Sequence, residues 1–298
     1  MDTRPPKTSV RGLALGAISF AYLILVLNPI QMLSVVVRPF SKRGFRAMNR
    51  WCARSIWTWW SNMAEGTMGI DIRFSGDPLP GPENAFILPN HQTMADVMVL
   101  LCFARRTGRI GDLKWFVKDP VKWVPGPGWG MKFLDCIYVK RDWTRDEAQI
   151  AALFAKFSEE GIPINLVSFL EGTRKTPEKL TRAIRFAEER GLRVPRHTLV
   201  PRTKGFVATV RGLGAHLAAI HDLTLVYPDG VPTLFDCFAG RVRRVDVHFR
   251  RYPIDDLPPS EAGLTAWVRA RFREKDELID AYAAEGRFPP STETTLAC

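Results

Sequence analysis

His91 stands five residues before Asp96 in the run Phe86-Ile87-Leu88-Pro89-Asn90-His91-Gln92-Thr93-Met94-Ala95-Asp96. An imidazole with one nitrogen held by a carboxylate has its tautomer fixed, and its other nitrogen is free to take a proton from an alcohol. The run reads as an apolar strand ending in a loop, with Thr93 capping the next helix and Asp96 at its third position, so that a fold-back brings carboxylate to imidazole. With five histidines in 298 residues, this spacing alone is weak.

A second block adds weight. Ile164–Phe169 is apolar and strand-like, Leu170-Glu171-Gly172-Thr173-Arg174 follows it, and Pro177 opens the next helix. Gly172 allows a tight turn, while Glu171, Thr173 and Arg174 supply a hydroxyl-orienting carboxylate, a small donor and a bidentate phosphate ligand. A third cluster, Ile137-Tyr138-Val139-Lys140-Arg141, ends a strand in two cations. The chain has no G-x-S-x-G elbow, Walker loop, G-x-G-x-x-G or H-E-x-x-H, so the common hydrolase, nucleotide-binding and zinc-protease readings lose their usual support. His216 and His221 lie five apart and read as core or surface residues, not as metal ligands.

These blocks need strands and helices to hold them, and beyond Gly69 the chain alternates between the two. Strands are expected at Ile70–Phe74, Ala85–Leu88, Lys114–Val117, Cys136–Val139, Ile164–Phe169, Thr198–Val200, Leu223–Val226 and Val242–Phe249. Helices are expected at Thr93–Ala104, Arg145–Ser158, Pro177–Glu189 and Gly263–Ala284. The fold class is α/β, a mixed central sheet flanked by helices, with an N-terminal membrane-associated helical segment. The organisation expected is a membrane-anchoring segment over 1–66, an α/β domain over 67–285 and a loose tail over 286–298.

Charge locates the anchor. The formal charge is +11, and residues 1–64 hold nine basic side chains against Asp2 alone. Between those basic groups, Gly12 to Val37 carries no charge, and 26 such positions suffice for a membrane helix with a kink or dip near Pro29. No small-x-small cleavage site follows the apolar run cleanly, which disfavours a secretory signal. The next segment, Phe45–Met63, puts Arg46, Arg50 and Arg54 on one helix side, with Trp51, Trp57, Trp59 and Trp60 available to lipid headgroups. It reads as an interfacial helix or as an amphipathic helix packed on the domain. Nucleic acid is not an expected partner, because the charge flanks an apolar run and no recognition module appears. The five cysteines are dispersed and odd in number, which fits a reducing compartment.

Asn90-His91-(four residues)-Asp96 with Glu171-Gly172-Thr173-Arg174 resembles the glycerolipid acyltransferases that acylate lysophosphatidic acid and related lysophospholipids. Arg141 matches that family's intermediate block and Val200-Pro201 its fourth block, while Lys118 to Trp129, with Leu134 and Arg141 beyond it, and the run Pro201-Arg202-Thr203-Lys204-Gly205-Phe206 look most like the lysophospholipid branch. The chain departs from the family pattern at Phe169-Leu170, where Phe-Pro is common, and at Leu134-Asp135-Cys136, where many members have glycine.

The resemblance implies His91 as general base and Asp96 as its orienting carboxylate. It implies that Arg141 and Arg174 hold phosphate, that Glu171 orders the acceptor or Arg174, and that Gly172 and Thr173 bind or orient the substrate phosphate with them. Asn90, Lys118, Lys140 and Pro201 are expected in support, and main-chain amides near His91 or Gly172 as oxyanion donors. It implies no metal and no permanently bound cofactor; acyl-CoA or acyl carrier protein is the thioester co-substrate. The expected partners are a phospholipid membrane and a lysophospholipid acceptor, foremost 1-acyl-glycerol-3-phosphate. The expected site is a bacterial inner membrane, with the catalytic domain on the cytoplasmic side. Another lysophospholipid or amphiphilic alcohol as acceptor, or an idle lipid-binding scaffold, are the rival readings.

Overall fold

The computed structural model describes residues 10–140 and 143–289. The uncharged N-terminal run forms one continuous helix, Val10–Val37, as α1 (Val10–Tyr22), a π-helical stretch Leu23–Leu27 and α2 (Asn28–Val37). Pro29 has no N–H to continue the ladder, and the Asn28 N–H reaches back to the Leu23 carbonyl just before it. The helix is long and apolar enough to cross a membrane, with mean hydropathy 2.1. Its polar residues face inward: Gln31 Nε2 donates to the Gly130 carbonyl at 3.3 Å and Asn49 Nδ2 to Ser34 Oγ at 2.9 Å. Leu25, Leu33 and Val36 face outward and exposed. Polar side chains inside and apolar ones outside suit a helix bathed in lipid.

Helix α3 (Lys42–Asn62) starts at the Ser41 cap, whose hydroxyl accepts the Gly44 N–H. Its arginine stripe does not simply face lipid. Arg46 pairs with Glu160, and Arg50 grips Asp112 at 2.6 Å. Trp57 is buried and Trp60 half-buried, leaving only Trp51 and Trp59 of the four tryptophans exposed. Two cations of the stripe thus meet carboxylates of the following domain, and α3 is the packed amphipathic helix of the two readings.

The remaining elements are β1 (Asp71–Gly76), β2 (Ala85–Pro89), α4 (Asp96–Arg106), β3 (Leu113–Lys118), α5 (Pro127–Phe133), β4 (Ile137–Val139), α6 (Trp143–Glu159), β5 (Asn165–Val167), α7 (Pro177–Glu189), α8 (Thr203–Leu213), β6 (Ala219–Val226), α9 (Leu234–Phe238), β7 (Arg244–Pro253) and α10 (Glu261–Glu285). Seven strands form one sheet in the order β1-β7-β6-β2-β5-β3-β4. Every neighbouring pair is parallel except β6 with β7, so the sheet is mixed, as expected. Period-two alternation splits β2 between two cores: Ile87 joins the N-terminal helices and α4, whereas Phe86 and Leu88 join α6, α8 and α10.

Thr198–Val200 is not a strand. The N–H groups of Arg196, His197 and Thr198 all donate to the Asp276 carboxylate, and that of Leu199 donates to Glu171, so Thr198 and Leu199 have none left for a ladder. The first helix of the domain begins at Asp96 instead of Thr93; the Thr93 hydroxyl donates to the Pro232 carbonyl and accepts the Ala95 N–H at 3.3 Å, one turn ahead of it.

Candidate active site

Strands β2, β5, β6 and β3 run parallel, and the loops at their carboxyl ends converge, the usual place for a ligand in an open α/β sheet. His91 lies in the loop after β2 and Asp96 opens α4. His91 Nδ1 is 2.9 Å from Asp96 Oδ2, and that oxygen also accepts the Gln92 and Thr93 N–H groups at 2.8 and 3.0 Å. Asp96 is wholly buried, while the His91 side chain keeps 11% of its surface. Facing Asp96, Nδ1 carries the proton, and Nε2 is left without a protein partner among the described residues. The Phe169 ring stacks on the imidazole, centroids 3.8 Å apart.

Two further clamps hold the loop. Asn90 is buried and exchanges two hydrogen bonds with the Leu225 backbone, pinning the end of β2 to β6. Glu171 accepts the His91 N–H at 2.7 Å with one oxygen and the Leu199 N–H at 2.9 Å with the other. Burial pushes its pKa up to about 8, against the pull of those two N–H donors. Glu171 therefore ties three loops together through both oxygens, and it also lines the cavity that His91 lines.

Gly172 has φ +68°, a conformation that favours glycine, and the Arg202 guanidinium lies close over it. Thr173 accepts from Lys179 Nζ at 2.7 Å. The His91 amide goes to Glu171 and the Gly172 amide to the Phe169 carbonyl, so neither is free for an oxyanion.

Arg174 is exposed and lines a cavity of about 1460 Å³ that His91 also lines. Lys118 and Pro201 line it too, whereas Asn90 and Lys140 stand outside the lining. The Lys140 side chain is exposed, and its amide donates to Asp146. Arg141 lies outside the described residues. Its approach is described: Asp135 adopts φ +57°, a backbone conformation in which glycine is free of strain, which accounts for the glycine common in the resembling family.

The cavity lining is apolar where the N-terminal helices wall it, including Leu13, Phe20, Leu23, Ile56 and Trp57. It also carries cations, with Arg182, Arg190, Arg202, Lys204 and Arg269 joining Arg174. A lining of both kinds suits an amphiphile with an anionic end.

Sequence reasoning missed Tyr227, whose hydroxyl donates to Asp96 Oδ1 at 2.7 Å, and Asp276, which orders the loop before Leu199. Tyr227 directly follows a predicted strand, and that position was the only available signal.

A carboxylate-held imidazole at the carboxyl edge of a mixed sheet, in a cavity lined by both apolar and cationic side chains, fits an acyl-transfer class of enzyme. The chain is an O-acyltransferase and belongs to the acyltransferase family, whose domain matches residues 71–227 and whose C-terminal domain matches 236–297. It is 33% identical over 282 residues to 1-acyl-sn-glycerol-3-phosphate acyltransferase 2 of Brassica oleracea, covering 91% of this chain and 71% of the relative. It is 32% identical over 273 residues to 1-acyl-sn-glycerol-3-phosphate acyltransferase delta of Rattus norvegicus, covering 89% and 71%. The fold is shared with the crystal structure of the 1-acyl-sn-glycerophosphate acyltransferase PlsC of Thermotoga maritima, at TM-score 0.54 and 14% identity over 91% of this chain and 95% of that one. These sequence relatives are plant and mammalian and lend no support to a bacterial inner membrane; the apolar helix supports membrane association.

Proposed function

We propose that this enzyme transfers a fatty acyl group from acyl-CoA or acyl carrier protein to the free hydroxyl of 1-acyl-glycerol-3-phosphate, forming phosphatidic acid. The observation that carries this reading is the partnerless Nε2 of a carboxylate-held His91 in a cavity lined by both apolar and cationic side chains. The names of the relatives supply the acceptor.

In this reading Nε2 takes the hydroxyl proton as the oxygen attacks the thioester carbonyl, and Asp96 stabilises the imidazolium that forms. The tetrahedral centre collapses with cleavage of the C–S bond, and the imidazolium returns its proton to the leaving thiolate. No acyl-enzyme is formed. Arg174 holds the acceptor phosphate, with Arg141 and Lys118 in support. The Thr173 and Arg174 N–H groups make no backbone bond in this turn and serve as the oxyanion donors.

The test is product formation by detergent-solubilised protein with lysophosphatidic acid and a panel of thioester donors. His91→Ala is expected to lower phosphatidic acid formation by about 10²–10⁴-fold, the range for a lost general base. Wild-type turnover in that variant would overturn the reading.

A further inference from the structure

The end of the apolar helix bears a second cavity of about 410 Å³ whose lining shares no residue with the transfer cavity. Its apolar lining is made by Met32 and Val35 of α2 with Trp129 and Phe133 of α5. Its polar lining carries three cations, Arg38, Lys132 and Lys156, and one carboxylate, Asp135. Lys156 engages that carboxylate at 2.8 Å. Arg38 and Lys132 have no carboxylate partner among the described residues. The Arg38 guanidinium lies 5.6 Å from the Phe45 ring centroid, and the Lys132 ammonium 5.2 Å from that of Trp123. Aromatic contact of this kind holds a cation in place without neutralising it.

Two uncompensated cations beside apolar side chains in one cavity match a ligand that is anionic at one end and hydrocarbon at the other. The position on the helix narrows the choice. The uncharged run stops at Val37 and Arg38 is the first charge beyond it, so the cavity lies where hydrocarbon gives way to headgroups. Leu33 and Val36 project outward just before it, and Trp123 is 68% exposed beside Lys132. A ligand reaching this cavity therefore meets it from the bilayer.

We propose that the cavity binds an anionic phospholipid of the surrounding bilayer, with its phosphate between Arg38 and Lys132 and an acyl chain along Met32 and Val35. A soluble phosphate meets only the cations and a zwitterionic lipid chiefly the apolar side chains, so affinity requires both. Helix α5 is the wall between the two cavities: Pro127, Gly130 and Met131 line the larger one, while Trp129, Lys132 and Phe133 line the smaller. The bound lipid would brace the helix that closes the transfer site.

The test is isothermal titration of the full chain in uncharged maltoside micelles with dioctanoyl phosphatidylglycerol, whose headgroup belongs to neither acceptor nor product of the proposed reaction. Dioctanoyl phosphatidylcholine and inorganic phosphate form the other arms. Phosphatidylglycerol is expected to bind at least tenfold tighter than phosphatidylcholine, and inorganic phosphate to show no saturation. The R38A/K132A variant should lose at least tenfold in that affinity, R38K/K132R should keep most of it, and Arg174→Ala should leave it unchanged. Equal affinity for the two lipids would reduce the site to an apolar groove. Phosphate binding as tightly as phosphatidylglycerol, or loss confined to Arg174→Ala, would equally overturn the proposal. Should R38A/K132A fail to fold, K132E alone decides, since wild-type affinity in that charge-reversed protein excludes the site.

Discussion

The Tyr227 hydroxyl donates to Asp96 Oδ1 at 2.7 Å, on the opposite side of the carboxylate from the oxygen that holds His91. Burial pushes the Tyr227 pKa well above its ordinary value, so the phenol stays a donor at any working pH. Both oxygens of a wholly buried carboxylate are thus satisfied, and the carboxylate cannot rotate away from the imidazole.

Tyr227→Phe removes that bond and nothing else. A hydrogen bond to a charged group contributes about 1.5–3 kcal/mol, so kcat is expected to fall by about tenfold or more, with a lowered thermal midpoint. Steady-state kinetics beside a melting curve checks it; unchanged kcat in a destabilised protein would confine Tyr227 to the fold.

Asp96→Asn keeps the shape of the side chain but sets an N–H₂ group against donors. Oδ2 accepts three bonds and Oδ1 a fourth, and an amide can serve only one of those oxygens. Acyl transfer is expected to fall by about 10²–10⁴-fold, as when the orienting carboxylate of a His-based site is lost. Rate assays on folded protein measure it, and a loss under threefold would refute the orienting role.

Arg174→Ala should act on the acceptor. With a phosphate-bearing lysolipid, KM is expected to rise by about 10–100-fold, the equivalent of about 1.5–3 kcal/mol for a charge-assisted contact. With a monoacylglycerol the change should be small. Equal losses with both acceptors would assign Arg174 to the turn itself.

Glu171 makes stability depend on pH. Its folded pKa is raised to about 8, against about 4.3 for an unfolded glutamate, so between those values the folded chain holds a proton that the unfolded chain releases. The stabilisation is complete below about pH 4.3, declines as pH rises and is lost once pH passes about 8. Glu171→Gln cannot titrate. Melting curves from about pH 5 to 9 should show the wild-type midpoint falling relative to that of the variant; parallel curves would mean an ordinary carboxylate.

What could be read from the sequence was local. Pro177–Glu189 forms the expected helix because Thr176 caps it, its hydroxyl accepting the Lys179 N–H, and Pro177 is suited to its first turn. The His91–Asp96 contact spans five residues and follows from the strand-loop-helix pattern. The errors arise where distant groups decide. Thr198–Val200 has strand-like residues, but Asp276, 78 positions beyond Thr198, takes the amides that a ladder would need. The arginine stripe of α3 has the period of an interfacial helix, yet Arg50 finds Asp112, 62 residues away. Helices α5 and α8 were missed: Pro127-Gly128-Trp129-Gly130 is rich in helix breakers, and the glycines Gly205 and Gly212 thin out the pattern of α8.

The long N-terminal helix also lines the cavity that His91 lines, through Leu13, Phe20 and Leu23. A protein trimmed to its sheet for solubility would therefore be an opened vessel, its cavity unwalled along one flank. In the proposed reaction, anchorage and chain accommodation would then be one design.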